Sequence, residues 1–264
     1  MIGRARARGA HAGILTRAGV LAAVCGLAAC AGPQSVLDPA GPSAAAIATV
    51  WWWMFGVAVV VLAGICAIWF LAMRPRAEAL GEDAARRVQR RWLVGGGLVL
   101  PGVSIVALLV FGSPSGFHQL PLPGAGPAPL RVDAIGHQWW WEMHYPANGA
   151  RLRNEMRVPV GRPVDVHTQS ADVIHSFWVP RLGGKLDAVP GRTLVVRLQA
   201  DRAGTYRGQC AEFCGAGHAH MTMTVIAMEP ADFDAWLRTG QAPVPLLTDN
   251  EPKTPVTPHP GSAR

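Results

Sequence analysis

The chain has 264 residues, enough for one or two domains, and half of them are hydrophobic. Its formal net charge is +7, but residues 1–29 carry four arginines and no acid, residues 74–92 carry six arginines, and from residue 113 onward 14 basic side chains stand against 13 acidic ones. A nucleic-acid binder needs a clustered basic face on its folded domain, so that class is excluded and the charge speaks of targeting and topology.

In chain order, Arg4, Arg6, Arg8 and Arg17 precede the apolar run GVLAAVCGLAAC, which is short for a bilayer span. A basic head, a short apolar stretch and small residues at its end predict a secretory signal over 1–29. The ending Leu27-Ala28-Ala29-Cys30 resembles a bacterial lipobox, which implies cleavage before Cys30 and acylation of its thiol. Residues 30–45 are then an exported N-terminal tail.

Two uncharged runs, 46–73 and 92–112, have the length of transmembrane helices. Trp51, Trp52 and Trp53 stand towards one end of the first, with Trp69 and Trp92 towards the opposite side, as interfacial belts require. The arginine-rich loop 74–91 between them is cytoplasmic by the positive-inside rule. Everything after residue 113 therefore faces outward, in agreement with the export signal. Pro101 and the glycines at 95–97 predict a weakened or kinked second helix.

Proline and glycine mark residues 113–129 as a linker. Beyond it, LRVDAIGHQWWWEMHY, RPVDVHTQS, RTLVVRLQA, GTYRGQC and MTMTVIAME alternate with period two between glycines and prolines, which predicts an all-β sandwich or barrel over 130–240. PADFDAWLR reads as a short closing helix, and residues 241–264 as a polar, proline-rich disordered tail.

Five cysteines remain to be placed. Cys25 leaves with the signal, Cys30 takes the lipid and Cys66 lies in the first span, so the exported domain keeps Cys210 and Cys214. Their compartment alone favours a disulfide. Their neighbours favour a metal, because His218 and Met221 follow in the same loop, and imidazole with a thioether beside soft thiolates suits copper. Zinc is the chemical competitor but gains little from methionine, and an iron–sulfur cluster needs more cysteines. A copper–thiolate site also wants a histidine from elsewhere, and ADVIHSFWVP offers His175.

The pattern C-x-E-x-C-G-x-x-H-x-x-M, formed by Cys210, Glu212, Cys214, Gly215, His218 and Met221, resembles the CuA loop of cytochrome c oxidase subunit II. GHQWWWEMHYP resembles that family's aromatic strand, DVIHSFWVPRLGGKLDAVPGR its first-histidine region, and the membrane hairpin also matches, so the likeness runs over about residues 45–240. The resemblance implies a two-helix transmembrane hairpin followed by an all-β, cupredoxin-like sandwich. It implies two copper ions bridged by Cys210 and Cys214, with one histidine each from His175 and His218. Met221 and the Glu212 carbonyl would be weaker ligands. The Glu212 side chain would help bind magnesium where the domain meets subunit I, and Trp139 would receive the electron. His220 is a local rival of His218 that the spacing disfavours, while His137, His144 and His167 on strand-like segments read as structural. Period two sets Trp139 and Trp141 on one face and Trp140 on the other.

The implied function is to accept electrons from cytochrome c and pass them to the haem of subunit I, within a multisubunit oxidase that reduces oxygen to water. The setting is the bacterial inner membrane, with the copper domain on the periplasmic side. The alternatives are the CuA subunit of a nitric oxide reductase and, from another class, a copper-handling membrane protein. Two departures stand out. RLRNEMRVPVGR is basic where the family's docking face is acidic, and Asp172 follows Ala171 rather than a second acid, which points to an acidic, neutral or membrane-tethered donor. Arg90 and Arg91 occupy the region where many relatives carry a glutamate near a proton entrance.

Overall fold

The computed structural model describes residues 31–74, 81–123 and 127–239. The expected signal segment, Cys30 and the tail after residue 240 lie outside them. Helix α1, Pro42–Ala72, starts with proline in its first turn, where the missing N–H costs nothing. Helix α2, Glu82–Gly112, is equally long. Each is 31 residues, about 46 Å at 1.5 Å per residue, which exceeds the roughly 30 Å hydrocarbon core. Their apolar side chains are solvent-exposed in the isolated chain, Trp53 and Phe111 most of all, a surface that only lipid or partner subunits can cover.

Helix α2 begins within the basic loop. Glu82 and Asp83 occupy its first turn, where the helix dipole favours acids, and Arg86 pairs with Glu82 at 3.4 Å. Pro101 cannot donate to the carbonyl one turn before it. The helix meets this by widening into a π turn over Gly95–Val99 rather than breaking, and a second π turn covers Leu108–Gly112. A short helix α3, Ser113–Phe117, continues into the linker.

The outer domain is two five-stranded sheets. The first runs β3 (Ala150–Arg153), β2 (Trp140–Tyr145), β1 (Leu130–His137), β5 (Val164–Ser170), β8 (Leu194–Leu198). The second runs β4 (Glu155–Pro159), β10 (Thr222–Met228), β9 (Gly204–Cys210), β6 (His175–Trp178), β7 (Leu186–Ala188). Pairs β1–β5 and β4–β10 are parallel, the other pairs antiparallel. Alternate residues point inward: Val132 and Ala134, then Trp141, Met143 and Tyr145, face Met156, Val158, Met223 and Val225 in one core. Helix α4, Pro230–Thr239, closes it with Phe233 and Trp236. This is the expected hairpin followed by an all-β, cupredoxin-like sandwich.

The segment before α1 is stitched onto the sandwich. The Ala40 N–H donates to the Arg181 carbonyl at 2.7 Å and the Asp201 N–H to the Ala40 carbonyl at 2.8 Å. Asp38 pairs with Arg181 at 2.8 Å. A Cβ on Gly41 would lie 2.0 Å from the Gln199 carbonyl oxygen, so only glycine lets the chain pass there.

Candidate metal centre

Strands β9 and β10 pair up to Gln209 and Thr222, and the segment between them carries the sulfurs of Cys210, Cys214 and Met221. The Cys210 N–H donates to the Met221 carbonyl at 2.9 Å and closes the loop at its base. Inside it, Gly215 takes φ +115°, a conformation that side-chain-bearing residues avoid. A single 3₁₀ turn, His218–His220, then sets His218 inward.

The donors converge. Sγ of Cys210 and Sγ of Cys214 are 3.8 Å apart, far beyond a disulfide bond. Nδ1 of His175 lies 3.9 Å from the Cys210 sulfur, and the Glu212 carbonyl 3.2 Å from it. Nδ1 of His218 is 3.6 Å and Sδ of Met221 is 3.7 Å from the Cys214 sulfur. The cysteines, His175 and Met221 are buried, while His220 is exposed. Among the described residues, His175, Cys210 and Cys214 form a cluster that could hold a metal ion. Two thiols, two imidazoles and a thioether are soft and borderline donors that fit copper. Burial first, and then the neighbouring Cys210, push the Cys214 thiol up to about 12, so a cation must displace a proton to bind it.

His175 comes from the neighbouring strand of the same sheet. Strand β6 lies beside β9, with Phe177 opposite Cys210, and the ring is fully buried against Trp141. A Cβ on Gly136 would meet its Cδ2 at 2.6 Å, so β1 needs glycine there. Nε2 of His175 is 2.7 Å from Oδ1 of Asp172. Burial works to raise the Asp172 pKa, but hydrogen bonds from His175, Gln138 and Val173 outweigh it and hold the carboxyl below its ordinary range.

The β1–β2 turn presses on the same loop. Trp139 lies in this turn, exposed at 41%, and strand β2 starts one residue later. The two tryptophans expected on one face are therefore separated: Trp141 is buried, and Trp139 lies against the loop. Its Nε1–H donates to the Cys214 carbonyl at 3.1 Å, as does the Gln138 side-chain amide at 2.8 Å. A Cβ on Gly217 would sit 2.4 Å from the indole. Trp140 instead stacks on His137, 4.2 Å between centroids, with the Arg153 guanidinium 4.6 Å from its ring.

Of the basic stretch, Arg157 is buried and bound to Glu155, and Arg151 pairs with Glu142. Only part of that charge reaches outward. The Glu212 carboxylate is half-exposed, 3.8 Å from the Lys185 ammonium. Reasoning on the sequence missed Gly136, Gln138 and Gly217, and read Asp172 only as surface charge.

Residues 150–228 match the family model described as the periplasmic domain of cytochrome c oxidase subunit II. Cytochrome c oxidase subunit 2 of Alkalihalophilus pseudofirmus is 33% identical over 242 residues, covering 84% of this chain and 67% of the relative. That of Cereibacter sphaeroides is 31% identical, covering 81% and 84%. The chain belongs to the cytochrome c oxidase subunit II family. The solved periplasmic domain of cytochrome oxidase subunit II (CoxB) of Bradyrhizobium japonicum is 34% identical, covering 44% of this chain and 96% of that one, with a TM-score of 0.41. This family member is thus a membrane-anchored subunit of a multisubunit oxidase, with a CuA-type domain whose His-Cys-Cys cluster could bind metal.

Proposed function

We propose that this subunit II is the electron-accepting subunit of a haem–copper terminal oxidase in the bacterial inner membrane, with its β domain on the periplasmic face. The observation that carries the reading is the convergence of three side chains and one carbonyl within 3.9 Å of one or other of two thiol sulfurs. When bound, copper at these thiolates would supply a one-electron redox site.

The residues around it do the rest. Cys210, Cys214, His175 and His218 would hold the copper, with Met221 and the Glu212 carbonyl as weaker ligands. A buried, hydrogen-bonded ligand set would hold one geometry in both oxidation states, so little would rearrange when an electron arrives. Trp139 is the receiving group: its ring is exposed to a donor, and one hydrogen bond links its indole to the backbone of Cys214. Electrons come singly from a cytochrome c and go on to the haem of subunit I, where oxygen becomes water. Glu212, once released from Lys185, would supply a carboxylate for magnesium at the subunit I boundary.

The test is copper content and electron paramagnetic resonance on the purified complex. The expected result is two coppers in this subunit and a hyperfine pattern from one electron shared between two nuclei. A single copper, or a Cys210–Cys214 disulfide in the active complex, would falsify the reading.

A further inference from the structure

The site is braced by two residues that offer it no ligand atom. The Asp172 carboxylate accepts three N–H groups: His175 Nε2 at 2.7 Å and the Val173 backbone at 2.6 Å on Oδ1, and the Gln138 backbone at 2.6 Å on Oδ2. Gln138 then reaches the other way, its side-chain amide donating to the Cys214 carbonyl. A continuous chain of hydrogen bonds thus runs from His175 through Asp172 and Gln138 to the cysteine loop, passing the backbone that carries Trp139.

We propose that Asp172 and Gln138 are positioning residues for electron acceptance: Asp172 aims His175 and fastens the Trp139 turn to it, and Gln138 fastens that turn to the cysteine loop. The inference rests on the copper reading above and adds to it two residues outside the ligand set. With Nε2–H committed to Asp172, His175 keeps its Nδ1 lone pair towards the sulfurs. A carboxylate on a ligand imidazole also makes it a stronger electron donor, which favours the oxidised centre and lowers its potential. No bond or proton moves in the step itself: one electron leaves the ferrous haem of the donor and arrives at the site.

The hydrogen-bond chemistry supplies variants that separate the two ties. All three partners of Asp172 are donors. Asp172→Asn with its carbonyl at the Oδ1 position keeps His175 and Val173, but turns an NH₂ towards the Gln138 N–H and opens the turn. Asp172→Ala removes both ties, and Gln138→Met removes only the link to Cys214.

The experiment uses the intact oxidase complex. It measures copper content, the reduction potential of the centre, its histidine nitrogen couplings by pulsed electron paramagnetic resonance, and its rate of reduction by a soluble c-type cytochrome reduced with ascorbate. Asp172→Ala is expected to raise the potential and alter one nitrogen coupling, yet slow reduction by about tenfold or more. A higher potential alone would speed reduction, so a fall in rate marks lost positioning. Gln138→Met is expected to leave the potential unchanged and slow reduction.

Should Asp172→Ala lose copper, Asp172→Asn and Gln138→Met decide: slowed reduction with copper retained supports the proposal, and parental rates overturn it. A rate that rises with the potential in Asp172→Ala also overturns it. The parent complex is the control for the underlying reading. If it lacks the shared-electron copper signal, the copper centre itself is wrong, whereas a parent with that signal and indifferent variants refutes only the brace.

Discussion

The two histidines beside the thiols are held in opposite ways. His175 sits on strand β6, fully buried, backed by Trp141 and tied to Asp172. His218 sits on one 3₁₀ turn, only partly buried, with the Phe213 ring 5.7 Å away. A ligand on a strand inherits the stability of the sandwich, while a ligand on a turn has little beyond the turn's own hydrogen bonds. The centre is therefore a wall and a clasp. The sandwich presents Cys210 and His175 in place, and the loop brings Cys214, His218 and Met221 onto them.

The largest effect should come from breaking the junction of the two. Cys214→Ser removes the proposed bridging thiol from the clasp side, and a hydroxyl is a poor substitute for a soft thiolate. The complex is expected to retain at most one copper at this site and to lose the shared-electron signal, by metal analysis and electron paramagnetic resonance. Full retention of both coppers would mean that the thiol is not a bridge.

Next in size is His218→Ala, which removes the clasp's proposed imidazole ligand and should release copper to a chelator at least tenfold faster than the parent. His220→Ala, two residues on and exposed, should match the parent. Equal losses from both would show that the turn can present either ring, and the distinction between them would fall.

Two glycines sharpen the comparison because each supports a different half. At Gly136, a Cβ meets the buried His175 ring at 2.6 Å. At Gly217, it meets the exposed Trp139 indole at 2.4 Å. Gly136→Ala should cost about 1–3 kcal/mol of domain stability, as overpacking of a core does, read from the unfolding midpoint by near-ultraviolet circular dichroism. Gly217→Ala should fall within about 0.5 kcal/mol, as surface changes do, because the indole can swing outward, yet reduction by a cytochrome should slow. Equal destabilisation by the two would show that the clasp is as firmly built as the wall.

The clasp was largely legible in the sequence, and the wall was not. Cys210, Glu212, Cys214, His218 and Met221 lie in one short run, so their spacing alone suggests a metal loop. His175 is 35 residues from Cys210, and only the need for an imidazole from outside the loop, together with its surroundings in a familiar pattern, singled it out. The Gln138 bond to Cys214 spans 76 residues and the Asp172 bond to the Gln138 backbone spans 34. No local propensity reports contacts of that range. Gly136 reads as a strand glycine until β6 is laid across it. The separated tryptophans have a similar cause: alternation holds within a strand, and Trp139 lies in the turn before β2 starts. Charge gave the expected cytoplasmic side of the hairpin, but it could not show that helix α2 starts at Glu82, ten residues ahead of the apolar run.

The smallest expected effect tests the wall alone. His167 on β5 stands opposite Asp133 of β1 in their parallel register. Burial first, and then Arg131, lower its pKa below the ordinary 6.5, outweighing the pull of Asp133 and Asp165 in the other direction. The unfolded chain therefore takes up this proton more readily than the folded one. Stability rises with pH wherever the unfolded state binds more protons, so the contribution is constant above the ordinary histidine range. It is lost as pH falls from 6.5 towards the lowered folded value. His167→Asn should make the thermal midpoint less sensitive to pH across that window. Because β5 contributes nothing to the clasp, copper retention over the same window should not differ between variant and parent. An unchanged slope would assign the titration to another group, and a change in copper retention would show that wall and clasp are coupled through the sheet.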